Sequence, residues 1–403
     1  MKSILKILQH LFVYPLSFLF RRKADVWAFG APEGRFEGNA KFLYLWTGRM
    51  VPSVTAVWIS PNAHLVASLR SKGLKAANRR SWEGFKSVLR AKYLFVNSNG
   101  DDVNFPLSGG AQIFNLWHGV GIKNILRKAN VGLNSKIFHS RWFLPLYIRS
   151  LQRFKRPAYV LSTSETMSRH FAECFGVPPQ RCVPLGYPRQ DPAFDREFRQ
   201  YCLELEGRGP FEAYRESYTR LYVYAPTLRQ KANDLLSEAF PDLQALSREL
   251  AEKDALLLIK LHPRDATSVE ELCRPFPNIN AWPTGCEFYT HVRDIDCLIT
   301  DYSSLLYDWI ESKEDGVLLY PYDYARFVAE ERDLAFPYDE NVIGPRAEDF
   351  TSLCHLIRTD AAFAPLPSEL LRELRLRFWG DGAAGRGSQN IVDFMHHRSA
   401  AAH

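Results

Sequence analysis

The strongest constraint on this chain is a repeated alternation. A short continuous apolar run stops at Gly, Pro, Asn or Ser and gives way to helical spacing. The runs are Val26–Ala31, Val54–Ile59, Tyr93–Asn97, Gln112–Trp117, Ala158–Ser162 and Cys182–Gly186. They resume as Tyr222–Ala225, Leu256–Leu261, Cys297–Thr300 and Val317–Tyr320. Runs without polar alternation suit strands covered on both faces, as in parallel sheets. The repetition predicts an α/β chain with parallel sheets wrapped by helices. Between the two sets lies Pro188–Tyr218, polar and charged, with Gly207-Arg208-Gly209-Pro210 inside it, which marks a domain boundary. The expected organisation is two doubly wound, Rossmann-like domains over 24–215 and 216–403, facing a central cleft and preceded by an amphipathic helix over 1–23. In such sheets ligands sit beyond the carboxyl ends of the strands, so chemistry is sought just after each run.

Composition narrows the function. A 403-residue chain that is 46% hydrophobic can bury two or three cores, which excludes a disordered or collagenous chain. Fifty-one Lys and Arg against 45 Asp and Glu leave +6, enough to favour anionic partners. No RNP-like or KH signature accompanies that surplus, so nucleic acid is not an expected partner. The seven cysteines are scattered without C-x-x-C spacing, which argues against a zinc site or a disulfide framework and for reduced thiols.

Two segments suit a lipid surface. At the N-terminus Ile4, Leu5, Ile7, Leu8, Leu11 and Phe12 recur at helical spacing, opposite Lys6, Gln9 and His10. This reads as a helix lying on an anionic membrane surface, with Arg21, Arg22 and Lys23 near the headgroups. A helix packed on its own core has the same pattern. The stretch Lys136–Arg156 interleaves Trp142, Phe143, Leu146, Tyr147, Ile148, Leu151 and Phe154 with Arg141, Arg149, Arg153, Lys155 and Arg156. It is either a second surface element or a helix covering a core edge with cationic stems.

Four strand ends carry chemistry. After the fourth run, Trp117-His118-Gly119-Val120-Gly121 places an imidazole in a tight glycine turn. Near its ordinary pKa, that ring can take a proton from an alcohol. In Lys260-Leu261-His262-Pro263-Arg264 three donors alternate on one face of an extended segment, which suits a phosphate or diphosphate. Thr300-Asp301-Tyr302-Ser303-Ser304 precedes a helical pattern. One serine there can cap the helix while its neighbour and the helix N-terminus meet an anion. Tyr224-Ala225-Pro226-Thr227-Leu228-Arg229 offers Thr227 and Arg229 to phosphate or ribose. The chain has no G-x-G-x-x-G, Walker A loop, G-x-S-x-G elbow or H-E-x-x-H motif.

In this order the pieces resemble the CDP-glycerol glycerophosphotransferase family, the transferases of teichoic-acid and capsule polymers. The matching stretches are N-L-W-H-G (115–119), L-S-T-S (161–164), L-G-Y-P-R (185–189), Y-A-P-T (224–227) and K-L-H-P (260–263). They continue with L-I-T-D-Y-S-S (298–304), Y-P-Y-D (320–323) and the tail Trp379-Gly380-Asp381-Gly382-Ala383. The resemblance implies a GT-B-like fold with an acceptor-side first domain and a CDP-donor second domain. It implies transfer of glycerol or ribitol phosphate from a CDP donor to a lipid-linked or polymeric acceptor, with release of CMP. It also implies a peripheral enzyme at the cytoplasmic face of the membrane.

Carried over, His118 and His262 are the catalytic candidates. Thr227, Arg229, Lys260, Arg264, Asp301, Ser303 and Ser304 are the donor or phosphate candidates, and Trp117, Gly119 and Lys123 lie on the acceptor side. No metal ligand set is implied, and magnesium stays open as a cofactor. The chain departs from the family at Val120-Gly121, where Thr-Pro is common, and at Leu228, where Trp is common. A nucleotide-sugar transferase of the same architecture and an inactive envelope scaffold are the competing expectations.

Overall fold

The computed structural model describes residues 2–139, 144–207, 209–229, 235–261, 269–381 and 384–400. Its chain forms two compact units. The first comprises Met1–His118, Phe138–Phe198 and Trp379–His403, and the second Gly119–Ile137 and Arg199–Phe378.

The first unit is built on seven parallel strands: β1 (Lys23–Gly30), β2 (Thr55–Ser60), β3 (Ala76–Asn78), β4 (Ala91–Val96), β5 (Gln112–Asn115), β6 (Tyr159–Ser162) and β7 (Cys182–Pro184). Their order is β3-β2-β1-β4-β5-β6-β7. The chain winds outward one way from β1 and then the other way from β4, which leaves a switch point between those two strands. Both faces are buried, which explains the apolar runs. Val26, Ala28, Leu94 and Val96 pack on one face. On the other, Phe29 stacks on Phe95 and Phe95 on Phe114, with ring centres 4.9 and 5.6 Å apart. Truncating the fully buried Phe95 to Ala would remove both stacks at a cost of about 3–5 kcal/mol.

The second unit holds β8 (Arg220–Tyr224), β9 (Ala255–Ile259), β10 (Ile279–Ala281), β11 (Cys297–Thr300) and β12 (Val317–Leu319), all parallel in the order β10-β9-β8-β11-β12. Its switch point lies between β8 and β11. Tyr222, Tyr224, Leu257, Ile259, Ile299 and Tyr320 form a core with Leu246, Leu250, Leu353 and Ile357 from the covering helices.

Three expectations change. Strands β3 and β10 were not anticipated: Ala-Ala-Asn and Ile-Asn-Ala are short edge strands without a sustained β-branched or aromatic run. The units also do not divide at 215/216. Residues 379–403 belong to the first unit, where Asp191 accepts from the Gly387 and Ser388 backbone N–H groups at 2.8 and 2.9 Å. That carboxylate caps the helix Gly387–Ala400. Finally, Arg22 does not face outward. It is half-buried in a cage of carbonyls, donating to Val88, Leu107, Gly109 and Ser17.

The N-terminal segment is helical from Lys2 to Leu19. Two of its polar residues turn inward: His10 is buried with Nδ1 2.6 Å from the Ile148 carbonyl, and Ser17 Oγ accepts from the Gly109 N–H at 2.8 Å. Ile4, Leu5, Leu8, Leu11, Phe12, Leu16, Phe18, Leu19 and Phe20 are all exposed, and Leu144 and Tyr147 of the helix Leu144–Arg149 are exposed as well. No helix among the described residues is long and apolar enough to cross a membrane.

Candidate active site

At the β8/β11 switch point the chain builds a buried charge cluster. Arg229, five residues past β8, donates from Nε and Nη2 to Asp323 at 2.8 Å, from Nη2 to Asp301 at 2.8 Å and from Nη1 to the Thr227 carbonyl at 2.5 Å. The Asp301 carboxylate also accepts from the Thr227 N–H at 2.9 Å and from its hydroxyl at 2.7 Å. The guanidinium lies beside the stacked Tyr302 and Phe327 rings, 5.2 and 4.8 Å from their centres, and the Tyr302 hydroxyl donates to Asp323 at 3.0 Å. Burial alone would raise the Asp323 carboxyl. The hydrogen bonds and charge of Arg229, with Tyr302 and Arg326, outweigh it and hold the group below its ordinary value.

Thr227, Arg229 and Asp301 are thus brought together, but toward one another. Charge-assisted bonds engage every nitrogen of the guanidinium, so its role here is to lock the segments after β8, β11 and β12. Asp323 is the member that sequence reading left out. Its signal was the acid ending Y-P-Y-D, one residue of a matching stretch.

The two serines lie at the start of the helix Leu305–Ser312. Ser303 Oγ accepts from the Leu305 N–H at 3.3 Å, while Ser304 makes no side-chain cap. The segment 119–121 packs on this helix start. A Cβ on Gly119 would lie 2.6 Å from Ser304 Oγ, and one on Gly121, whose φ is +126°, would lie 2.7 Å from the Tyr307 ring. Side chains are excluded at both positions, which is why the turn reads G-V-G.

Lys123 follows on the same segment and therefore belongs to the second unit, with the donor candidates. It is half-buried, and burial pushes its ammonium down to about 8. Asp301 opposes that shift, and Arg332 and Arg229 add to it. Lys260 is half-buried at the end of β9, its N–H bonded to the Tyr224 carbonyl at 2.8 Å. His262 and Arg264 lie outside the described residues.

In the first unit, His118 stands at the carboxyl end of β5, beside the β1/β4 switch point. It is exposed, and its Nδ1 lies 3.2 Å from the Asn97 carbonyl at the end of β4. A carbonyl can only accept, so Nδ1 carries the proton in this contact and the lone pair sits on Nε2. The Trp117 ring lies against the imidazole, tilted 34° to it with centres 4.0 Å apart. Trp117 itself has φ +52°, a strained conformation for a bulky residue and a mark of a constrained site.

Long-range polar contacts hold the turn. Asn39 Nδ2 donates to the Leu116 and Trp117 carbonyls at 3.1 Å, and Arg189 Nη1 to the His118 carbonyl at 2.7 Å. Asn97 is fixed in turn by the Ala40 N–H and the Glu37 carbonyl, each at 2.9 Å. Asn39, Asn97 and Arg189 were not among the expected site residues. Arg189 closes L-G-Y-P-R, and Asn97 ends an apolar run, but their partners lie tens of residues away.

Residues 13–397 match the family model of CDP-glycerol:poly(glycerophosphate) glycerophosphotransferases. The teichoic acid ribitol-phosphate primase of Bacillus spizizenii is 28% identical over 306 residues, 73% of this chain and 73% of that protein. The ribitol-phosphate polymerase TarL of Staphylococcus aureus is 28% identical over 275 residues, 66% of this chain but 45% of its own length. Among solved structures, a variant of the wall teichoic acid polymerase TagF soaked with CDPG superposes with a TM-score of 0.75 at 20% identity, covering 98% of this chain and 95% of that one. That likeness establishes a shared α/β fold, while the model match spans almost the whole sequence. The chain belongs to the CDP-glycerol:poly(glycerophosphate) glycerophosphotransferase family.

Proposed function

We propose that this enzyme transfers glycerol phosphate or ribitol phosphate from a CDP-activated donor to a hydroxyl of a lipid-linked or polymeric acceptor, releasing CMP, in the synthesis of a teichoic-acid-like or capsule polymer. The observation that carries the reading is His118: an exposed imidazole with Nδ1–H fixed on the Asn97 carbonyl, in the W-H-G turn of a family member. The two parallel-sheet units are read as GT-B-like halves.

The acceptor oxygen attacks the β-phosphorus in line, and its proton passes to Nε2 of His118. The bond from the β-phosphorus to the bridging oxygen breaks, and CMP leaves with that electron pair. Lys260, the Ser303 and Ser304 N-terminal turn and, beyond the described residues, His262 and Arg264 neutralise the diphosphate. Arg229, Thr227 and Asp301 hold that surface in place. The exposed apolar face of residues 4–20, with Leu144 and Tyr147, is read as the surface that meets an anionic membrane at its cytoplasmic face.

The test is CMP release from CDP-glycerol or CDP-ribitol with lipid-linked and polymeric acceptors, with and without magnesium, beside a screen of nucleotide-sugar donors. General base catalysis contributes about 10²–10⁴-fold, so His118→Ala should lower turnover at least ~100-fold with donor binding nearly intact. UDP or GDP release from a sugar donor instead would make the chain a glycosyltransferase. Silence with every donor would make it a scaffold.

A further inference from the structure

We propose that Lys123 and Arg332 form a cationic pair on the second unit that binds the donor's diphosphate. This deepens the reading above and rests on it for the identity of the donor. The geometry comes from the backbone. Lys123 and Leu334 face each other in an antiparallel bridge, secured by the Ala335 N–H on the Ile122 carbonyl at 2.6 Å and the Asn124 N–H on the Asp333 carbonyl at 3.0 Å. Arg332 is extended, with φ −153° and ψ 128°. Side chains two residues apart on an extended segment share a face, so Arg332 lies on the face of Leu334 and of Lys123 opposite it. Diagonal neighbours of this kind have Cβ atoms ~7–8 Å apart or a little less, a span that one diphosphate bridges.

The opposite face is a latch. There Asp333 accepts from Asn124 Nδ2 at 2.9 Å, and from the Asn130 N–H at 3.0 Å and its Nδ2 at 3.1 Å. Of the two carboxylates that flank Arg332 in sequence, Asp333 is engaged by Asn124 and Asn130, and Glu331 is buried; both still attract the guanidinium. Asp301, whose charge acts on Lys123, is held by Arg229 and Thr227. Among the described residues neither the Lys123 ammonium nor the Arg332 guanidinium has a hydrogen-bond acceptor or ion-pair partner. Two like charges, each half out of water and fixed by a backbone ladder, repel until an anion lies between them. Burial lowers both groups from their ordinary values, opposed at Lys123 by Asp301 and at Arg332 by Glu331 and Asp333. Lys123 also feels the charges of Asp301 and Arg229 at the β8/β11 switch point, where a doubly wound sheet binds its ligand. Arg332 supplies a planar fork for two phosphate oxygens and Lys123 a point charge.

Calorimetric titration of the whole chain and of Lys123→Met, Arg332→Met and Arg332→Lys, with CDP-glycerol, CDP, cytidine and inorganic diphosphate, tests this. Each Met variant should bind CDP-glycerol and CDP about 10- to 100-fold more weakly, with cytidine unchanged. Arg332→Lys should recover part of the loss. Thermal midpoints without ligand should not fall, since removing one of two like charges relieves repulsion. If a Met variant does fall, Arg332→Gln takes its place. Wild-type affinity for CDP in both Met variants overturns the proposal, as does a rise confined to the acceptor KM. Diphosphate binding that depends on the pair, in a protein that ignores CDP compounds, keeps the pair and rejects the CDP donor.

Discussion

Replacing Arg229 with Met separates a brace from a ligand. The side chain is 3% exposed, and its two carboxylate partners, Asp301 and Asp323, are 1% and 4% exposed. Removing the guanidinium strands both carboxylates in a water-poor site, and breaking a buried pair from one side costs about 3–5 kcal/mol. For a unit of this size each kcal/mol moves the midpoint about 2–4 °C, so Tm should fall roughly 6–20 °C. Adding Asp301→Asn should restore part of the loss, with a coupling of about 0.5–3 kcal/mol.

The pH profile gives an independent readout. In the wild type the depressed Asp323 carboxyl adds stability that is fully present above the ordinary carboxylate pKa of about 4 and is lost as pH falls through its lower folded value. In Arg229→Met, burial is no longer outweighed and the folded carboxyl titrates above its ordinary value. Its contribution is then lost as pH rises from about 4 through that raised value. Urea denaturation from pH 3 to 7 should show slopes of opposite sign in the two proteins. A variant within about 1 kcal/mol of wild type that nevertheless no longer binds CDP-glycerol would refute the brace and return Arg229 to the diphosphate.

Two further outcomes follow from the first unit. Burial pushes the Asp102 carboxyl up to about 8 against the N–H groups of Ser98, Asn99 and Asn97. The folded protein then keeps a proton that the unfolded chain loses near pH 4, so stability falls as pH rises from about 4 to about 8. Asp102→Asn should flatten the Tm–pH curve over that range and be the more stable protein at pH 8.5. Exchanging exposed Leu8 and Phe12 for Ser removes two anchors worth up to about 1.5–3 kcal/mol each. Sedimentation with anionic vesicles should weaken at least about tenfold, while CMP release with a soluble acceptor stays the same. Unchanged sedimentation would reject the membrane reading.

The strands flanking each switch point were legible because burial on both faces leaves an unbroken apolar run, as in Val26–Gly30 and Cys297–Thr300. Of the edge strands, β7 and β12 were read as runs, while β3 and β10 were not, since Ala-Ala-Asn and Ile-Asn-Ala carry no sustained β-branched or aromatic run. The turn after β5, the serines and the arginine at Y-A-P-T were visible as residue types at strand ends. Their roles were not, because Arg229 finds its acceptors at 301 and 323, and local spacing says nothing about which donors are already spent. His10 shows the same limit in reverse. Helical periodicity found the right helix, but which face turns inward was decided by a carbonyl at Ile148. Arg332 sat in the unremarkable run Glu330-Glu331-Arg332-Asp333, and only the bridge to Lys123 distinguishes it.

The placement of residues 379–403 in the first unit sets a schedule for biosynthesis. The nascent seven-stranded sheet has all its strands by residue 184, yet the helix that Asp191 caps and whose Phe394 packs on Phe114 and Tyr159 is still untranslated. At about 5–20 residues per second, the ribosome needs roughly 10–40 s to go from Phe198 to Trp379. During that interval an aromatic face of the sheet waits without its cover, and chaperone occupancy of stalled nascent chains should peak there and vanish once Phe394 has emerged.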